Sequence, residues 1–252
     1  MKKIILLSFL ITSLSYSQSD ESKLSFGASL GANISFFNTA VSELGYNESL
    51  GYSNSVRVSA KLDLSTFYRI NDYLRLESGL TYVGKGTEYR RPNRSVIVID
   101  QNGSDTGYDK TRFRLDYIEI PLKANINLKK LFKSKNFEQM PIYFNVGLSG
   151  GFNTKSDIRS NSYIPSSSNG GFVVNVEENF EIREFDFAKP FIVNSIVGFS
   201  YVFKEINKNK FTVDLEYSQS LQDVYEEKDI ESSYNFKTKN GSISLSVGIE
   251  FN

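Results

Sequence analysis

Along LSFGASLGANISFF (Leu24–Phe37) apolar and small polar residues alternate with a period of two. Leu24, Phe26, Ala28, Leu30, Ala32, Ile34 and Phe36 share one face; Ser25, Gly27, Ser29, Gly31, Asn33 and Ser35 share the other. That period belongs to a β-strand and predicts one here. Seven further stretches repeat it, over residues 56–68, 74–82, 118–128, 142–152, 191–203, 211–217 and 243–251. In the stretch 191–203 both faces carry apolar residues, which leaves its orientation open. Within RFRLDYIEI the apolar phase changes between Leu115 and Ile118, which predicts a β-bulge near Asp116–Tyr117.

The connections alternate in length. Short links at 70–73, 129–141 and 204–210 follow even strands; long ones at 37–55, 84–112, 153–186 and 219–240 follow odd strands. An antiparallel up-and-down sheet therefore gathers its long loops at one end, a polarity shared with transmembrane barrels. Inside the long links, residues 96–99 read as a strand leading to a hairpin turn at Asn102–Gly103, and 173–185 as a strand extending above the membrane.

Which way the apolar face points decides the class. A soluble lipocalin-like barrel would turn it inward and present a solvated exterior. Here the polar faces of the first and last strands are built from Ser, Gly and Asn, which suit the crowded interior of an eight-stranded barrel better than open water. Most stretches reach the roughly 9–11 residues of a tilted membrane-spanning strand. Phe36, Phe37, Tyr68, Tyr73, Tyr82, Phe152, Tyr201, Phe203, Phe211, Tyr217 and Phe251 lie near strand ends, where aromatic belts are expected. The expected fold is all-β, an eight-stranded antiparallel up-and-down transmembrane β-barrel. Leu30, Leu62, Leu80, Ile126, Val146, Val213, Leu245 and Val247 are then lipid-facing. Arg57, Lys61, Asp63, Arg75, Glu77, Glu119, Lys123, Asp214, Glu216 and Glu250 point into the lumen. Both signs occur there, and buried charge is costly unless paired, so an ion-pair network filling the lumen is expected.

The opening MKKIILLSFLITSLSYSQ has a basic start, an apolar run and a small-x-small site. It reads as a signal peptide over 1–17, followed by a barrel domain over 18–252. The expected location is the bacterial outer membrane, with both termini periplasmic. Lys+Arg and Asp+Glu number 29 each, and losing Lys2 and Lys3 leaves 27 against 29, too even for a nucleic-acid partner. The chain has no His and no Cys, which removes His general bases, thiol chemistry, disulfides and ordinary zinc or copper sites. No cofactor and no enzymatic activity are expected, with a carboxylate-only hydrolase formally open. DQNGSDTGYD (100–109) has oxygen ligands spaced like a calcium loop, but Asp105 stands where the required Gly would be, and a hairpin tip is the simpler reading. The basic run RRPNR (90–94) either meets anionic lipopolysaccharide or is a solvated loop.

Three blocks carry a family resemblance. LRLESGLTYVGKG (74–86), LDYIEIPLKANINL (115–128) and VDLEYSQSLQDV (213–224) resemble the PorT-like outer-membrane β-barrel family, with Tyr117, Glu119 and Pro121 as the specific part. The resemblance implies an integral outer-membrane barrel, with outer-membrane lipids and the barrel-insertion machinery as partners. The aromatic terminal tag of many such barrels falls one place early here, at Phe251. For one branch it implies association with an envelope protein complex, a secretion and gliding apparatus. It carries over no catalytic residues. The expected role is a structural or accessory component with long extracellular loops; a narrow channel or transporter for small solutes, and a soluble lipocalin-like binding barrel, are the alternatives.

Overall fold

A computed structural model describes residues 23–38, 53–100, 103–128, 142–165, 173–174, 181–184, 188–224 and 238–251. The expected leader and the link 129–141 lie outside these residues. Eight long strands form the body: β1 (Leu24–Phe37), β2 (Ser53–Arg69), β3 (Leu74–Asp100), β4 (Gly103–Asn127), β5 (Ile142–Pro165), β8 (Phe191–Ile206), β9 (Asn209–Ser220) and β10 (Asn240–Phe251). Two short strands, β6 (Val173–Val174) and β7 (Glu181–Glu184), pair only with the far end of β5. Each long strand hydrogen-bonds to its sequence neighbour, and β10 returns to β1 from Phe26↔Phe251 to Phe37↔Asn240. The result is a closed, all-antiparallel, eight-stranded barrel.

Its surface is inverted relative to a water-soluble protein. Leu30 is 61% exposed and Leu245 and Val247 are each 55% exposed, whereas Lys61, Glu77, Lys123 and Glu216 are buried. Leu62, Leu80 and Val146 are exposed on the same outer face, with Ile126 and Val213 half-covered by neighbours. The lipocalin arrangement is thereby excluded. In β8 the row Phe191, Val193, Val197, Phe199 and Tyr201 points out and Ile192, Asn194, Ile196 and Ser200 point in, so the strand with two apolar faces has a definite orientation.

Three local expectations need correction. The segments 84–112 and 153–186 are largely strand: β3 and β4 continue as a hairpin well past the apolar alternation, and β5 runs to Pro165. Backbone pairing holds that extension together, and its outer residues face no hydrocarbon, so the period-two pattern fades while the strand does not. Asp100 pairs with Gly103, and Asn102 of the expected turn lies outside the described residues. The irregularity near Asp116–Tyr117 is present, but its extra residue belongs to β5: Asp116 faces Lys155 and Tyr117 faces Asn153, leaving Thr154 unmatched. Strand β4 keeps its odd residues inward throughout, Phe113, Leu115, Tyr117 and Glu119 alike. The apolar phase changes because the lumen itself turns apolar at that level. For the same reason Phe37, expected in an aromatic belt, is an interior residue at 3% exposure.

Candidate functional site

The inward faces of the eight strands meet in a lumen organised as stacked polar layers under an apolar cap. Nearest the short-turn end, Arg75 Nη1 donates to Glu250 Oε2 at 2.5 Å and Lys210 Nζ to Glu250 Oε1 at 3.0 Å. The Arg75 guanidinium lies between the rings of Phe67 and Tyr143, 4.3 and 4.2 Å from their centroids. In the middle layer Glu216 takes Lys123 at 2.6 Å on one oxygen and Lys61 on the other; Lys123 also reaches Glu77 at 2.7 Å and Lys61 also reaches Asp63 at 3.6 Å. Strands β2, β3, β4 and β9 are thus tied across the interior. Above it, Lys85 pairs with Glu119 at 2.6 Å, and Glu119 also accepts from Ser149 at 2.8 Å and Asn194 at 3.3 Å.

The sequence makes room for these long side chains with glycine. Gly31 stands opposite Lys61, Gly147 opposite Lys123 and Gly198 opposite Glu216. A Cβ at any of the three would run into a backbone carbonyl of the neighbouring strand, at Leu245, Leu122 or Leu215 respectively. At Gly198 the Cγ of Glu216 would also lie 2.9 Å from that Cβ, so there the missing side chain makes room for the charge. Small cavities of about 40 and 30 Å³ lie within these layers, each with space for on the order of one water.

Toward the long-strand end the filling changes character. Phe37, Val83, Tyr89, Phe113, Leu115, Tyr117, Ile192 and Val224 form a buried apolar cluster, with Ile158 and Ala188 packed against it. Phe113 and Tyr89 meet edge to face at 5.6 Å. The backbone of Val224 is tied to Lys189 at 2.8 Å and to Thr238 at 2.9 Å, which draws the described start of the β9–β10 connection over the mouth.

Of the ten charges assigned to the lumen, the structure gathers nine inside. Asp214 is the least engaged, accepting from Thr212 at 3.1 Å. Arg57 leaves: where β2 has one residue more than β3 between Val56 and Lys61, its guanidinium passes Gly84 to Asp116 at 2.9 Å, in the outward row of β4. Tyr117, Glu119 and Pro121 occupy consecutive inward positions on β4, spanning the boundary between cap and charged layers. Sequence reasoning missed Lys85, Asp116 and Lys210. Lys85 lies in GKG beyond the last alternating apolar residue, and Asp116 lies where the apolar phase breaks. The signal that could have found Lys85 is parity, since it continues the odd row of Arg75, Glu77 and Thr81. Among the described residues no group of three or more acidic, His or Cys side chains is placed to hold a metal.

A closed cylinder with hydrocarbon side chains outside and paired charge inside is a transmembrane β-barrel. The chain belongs to the family of the outer membrane protein beta-barrel domain, whose model matches residues 15–226, and this family is one of the bacterial outer membrane. Among solved structures it is similar to Ail, the attachment invasion locus protein of Yersinia pestis (14% identity over 90% of this chain and 98% of that one, TM-score 0.38). It is also similar to neisserial surface protein A (14%, 90% and 97%, TM-score 0.37) and to OprG of Pseudomonas aeruginosa (10%, 90% and 96%, TM-score 0.35). No curated protein is matched by the sequence.

Proposed function

We propose that the protein is a structural or accessory component of the outer membrane, a sealed anchor rather than a conduit. Its signal peptide over 1–17 directs export, both termini stay periplasmic, and the extended β3–β4–β5 end faces outward. The observation that carries this reading is the middle layer: Glu216 held by Lys61 and Lys123, with Glu77 behind, bridges opposite walls of the lumen. An ion crossing there would have to displace paired, buried charges, which is expensive in a low-dielectric interior. The chain acts without enzymatic chemistry, and its work lies in what its exposed end contacts. The resemblance of 74–86, 115–128 and 213–224 to PorT-like barrels makes an envelope protein complex of the secretion or gliding kind the natural partner.

Two measurements test it. Purified protein in a planar bilayer is expected to give no stable large conductance, and crosslinking in intact cells followed by purification is expected to capture envelope-complex subunits. Steady solute uptake by reconstituted liposomes would replace the anchor with the narrow-channel alternative.

A further inference from the structure

The outward face of the barrel ends abruptly on one side. Tyr82, Ile118, Phe152 and Phe191 lie side by side in register across β3, β4, β5 and β8, and all four are exposed. The next outward positions are Gly84, Asp116 and Lys155, and beyond them the row is charged. Arg114 lies four residues before Ile118 in the sequence, ~13 Å away along the strand and ~10 Å higher at a barrel tilt near 40°. That is the level at which lipid headgroups begin.

Among the described side chains the charge at this level is unbalanced. Glu88 is shared by Lys110 at 2.8 Å, Arg112 at 3.3 Å and Arg90 at 3.4 Å. Asp116 is shared by Arg114 at 2.6 Å and Arg57 at 2.9 Å, and Asp157 by Arg159 at 3.2 Å and Lys155 at 3.7 Å. Seven cations therefore meet three carboxylates among the described side chains of this surface. Strand register adds a second observation. Arg90 stands directly opposite Lys110, and Arg112 directly opposite Arg159. Like charges facing each other across a ladder are destabilising; Glu88 bridges the first pair, whereas among the described side chains no carboxylate is shared by Arg112 and Arg159. The side chains of Arg90 and Arg112 remain 49% and 45% exposed, available to an anion.

Between this cluster and the hydrocarbon belt lies an open groove of about 550 Å³, created where β2 slips register against β3. Its apolar lining is Val56, Val58, Ala60 and Tyr82, and its charged lining is six cations, Arg112, Arg114 and Arg159 among them, against the two carboxylates Glu88 and Asp116. The floor is continuous with the exposed aliphatic strip of Leu62, Leu64 and Leu80.

We propose that this groove binds the phosphorylated headgroup of an acylated membrane lipid. The phosphate oxygens take charge-assisted hydrogen bonds from Arg112, Arg114 and Arg159, and an acyl chain runs down past Val58, Ala60 and Tyr82. A free anion would use the cations but leave the apolar floor bare. The site rests on the membrane-barrel fold and is independent of whether the lumen conducts.

The test is native mass spectrometry of the folded, detergent-solubilised protein, titrated with a bis-phosphorylated glucosamine lipid, its dephosphorylated counterpart, or inorganic phosphate. The phosphorylated lipid is expected to bind saturably. The double variant R112Q/R159Q is expected to weaken it by roughly tenfold or more. K204Q/K208Q, at the opposite end of the barrel, should bind like the unaltered protein. Retention of the unboiled gel band shows which variants fold, and R112Q alone gives a smaller loss of the same sign if the double variant does not. Equal affinity in R112Q/R159Q, equal affinity for the dephosphorylated lipid, or inorganic phosphate binding as tightly as the lipid would each overturn the proposal.

Discussion

Glu216 is buried and has both of its oxygens occupied by lysines from other strands. Removing the carboxylate leaves Lys123 with Glu77 and Lys61 with Asp63 as their remaining carboxylates, whereas removing all three charges leaves Glu77 and Asp63 without a lysine. Glu216→Gln is therefore expected to destabilise the barrel by about 1–3 kcal/mol, and the triple change Lys61→Met, Lys123→Met, Glu216→Leu, which leaves Glu77 and Asp63 uncompensated, by clearly more. Urea unfolding in lipid vesicles, followed by gel migration, measures both. A triple variant milder than the single one would mean that Glu77 and Asp63 do not depend on the lysines. At this scale the sequence was legible wherever parity could be read from an unbroken alternation, which is how Lys61, Glu77, Lys123 and Glu216 fall on one side. It was not legible for Arg57, whose row is lumenal but whose guanidinium escapes through a register slip in the β2–β3 pair. Such a slip is a property of two strands together and leaves no mark in either alone.

Individual strands show the same division between what alternation can report and what pairing adds. Strand β1 begins and ends where its pattern does, because hydrocarbon bathes its outer face over its length. Arginine at the bilayer midplane costs about 2–4 kcal/mol, so Leu245→Arg and Val247→Arg in β10 should each destabilise by that amount. Ser244→Ala, which loses one 3.3 Å contact with Lys61, should be mild; comparable effects on both faces would contradict the assigned orientation. Above the belt, β3 and β4 answer to water and to each other, and Glu88 illustrates it. Burial opposes its charge, but Lys110 and Arg112 outweigh that and hold its carboxyl below the ordinary value of 4.5. A carboxylate lowered in the folded state stabilises at all pH above its unfolded value and loses that contribution as pH falls through the folded one. Amide protection in residues 84–90 and 110–116, corrected for intrinsic exchange, should therefore hold from neutral pH down to the ordinary glutamate range and decline only below it. Glu88→Gln should start lower and show a smaller acid step, because Asp116, despite its burial, is also held below its ordinary value by Arg114 and Arg57. A decline already complete above pH 5 would place the controlling group elsewhere.

For the molecule as a whole, closure and sealing are separable. Closure comes from the β1–β10 ladder and from hydrocarbon, which leaves no open sheet edge tolerable. Sealing has two candidates, the charged layers and the apolar cap, and they depend on different segments. The layers draw on residues at or below Lys85 and Glu119, whereas Tyr89 and Phe113 of the cap come from the extended hairpin. Replacing residues 86–114 with an Asn-Gly turn keeps Lys85 opposite Leu115 as the last pair and supplies a connection suited to a two-residue hairpin. The shortened protein is expected to insert, to migrate differently before and after boiling, and to conduct no more than the full chain, because the layers at Arg75–Glu250, Lys61–Glu216–Lys123 and Lys85–Glu119 are untouched. It should also lose the phosphorylated lipid, since Glu88, Arg90, Lys110, Arg112 and Arg114 go with the hairpin. A stable pore in the shortened protein would assign the seal to the cap instead. Failure to insert would mean that the strands above the membrane help to close the barrel within it.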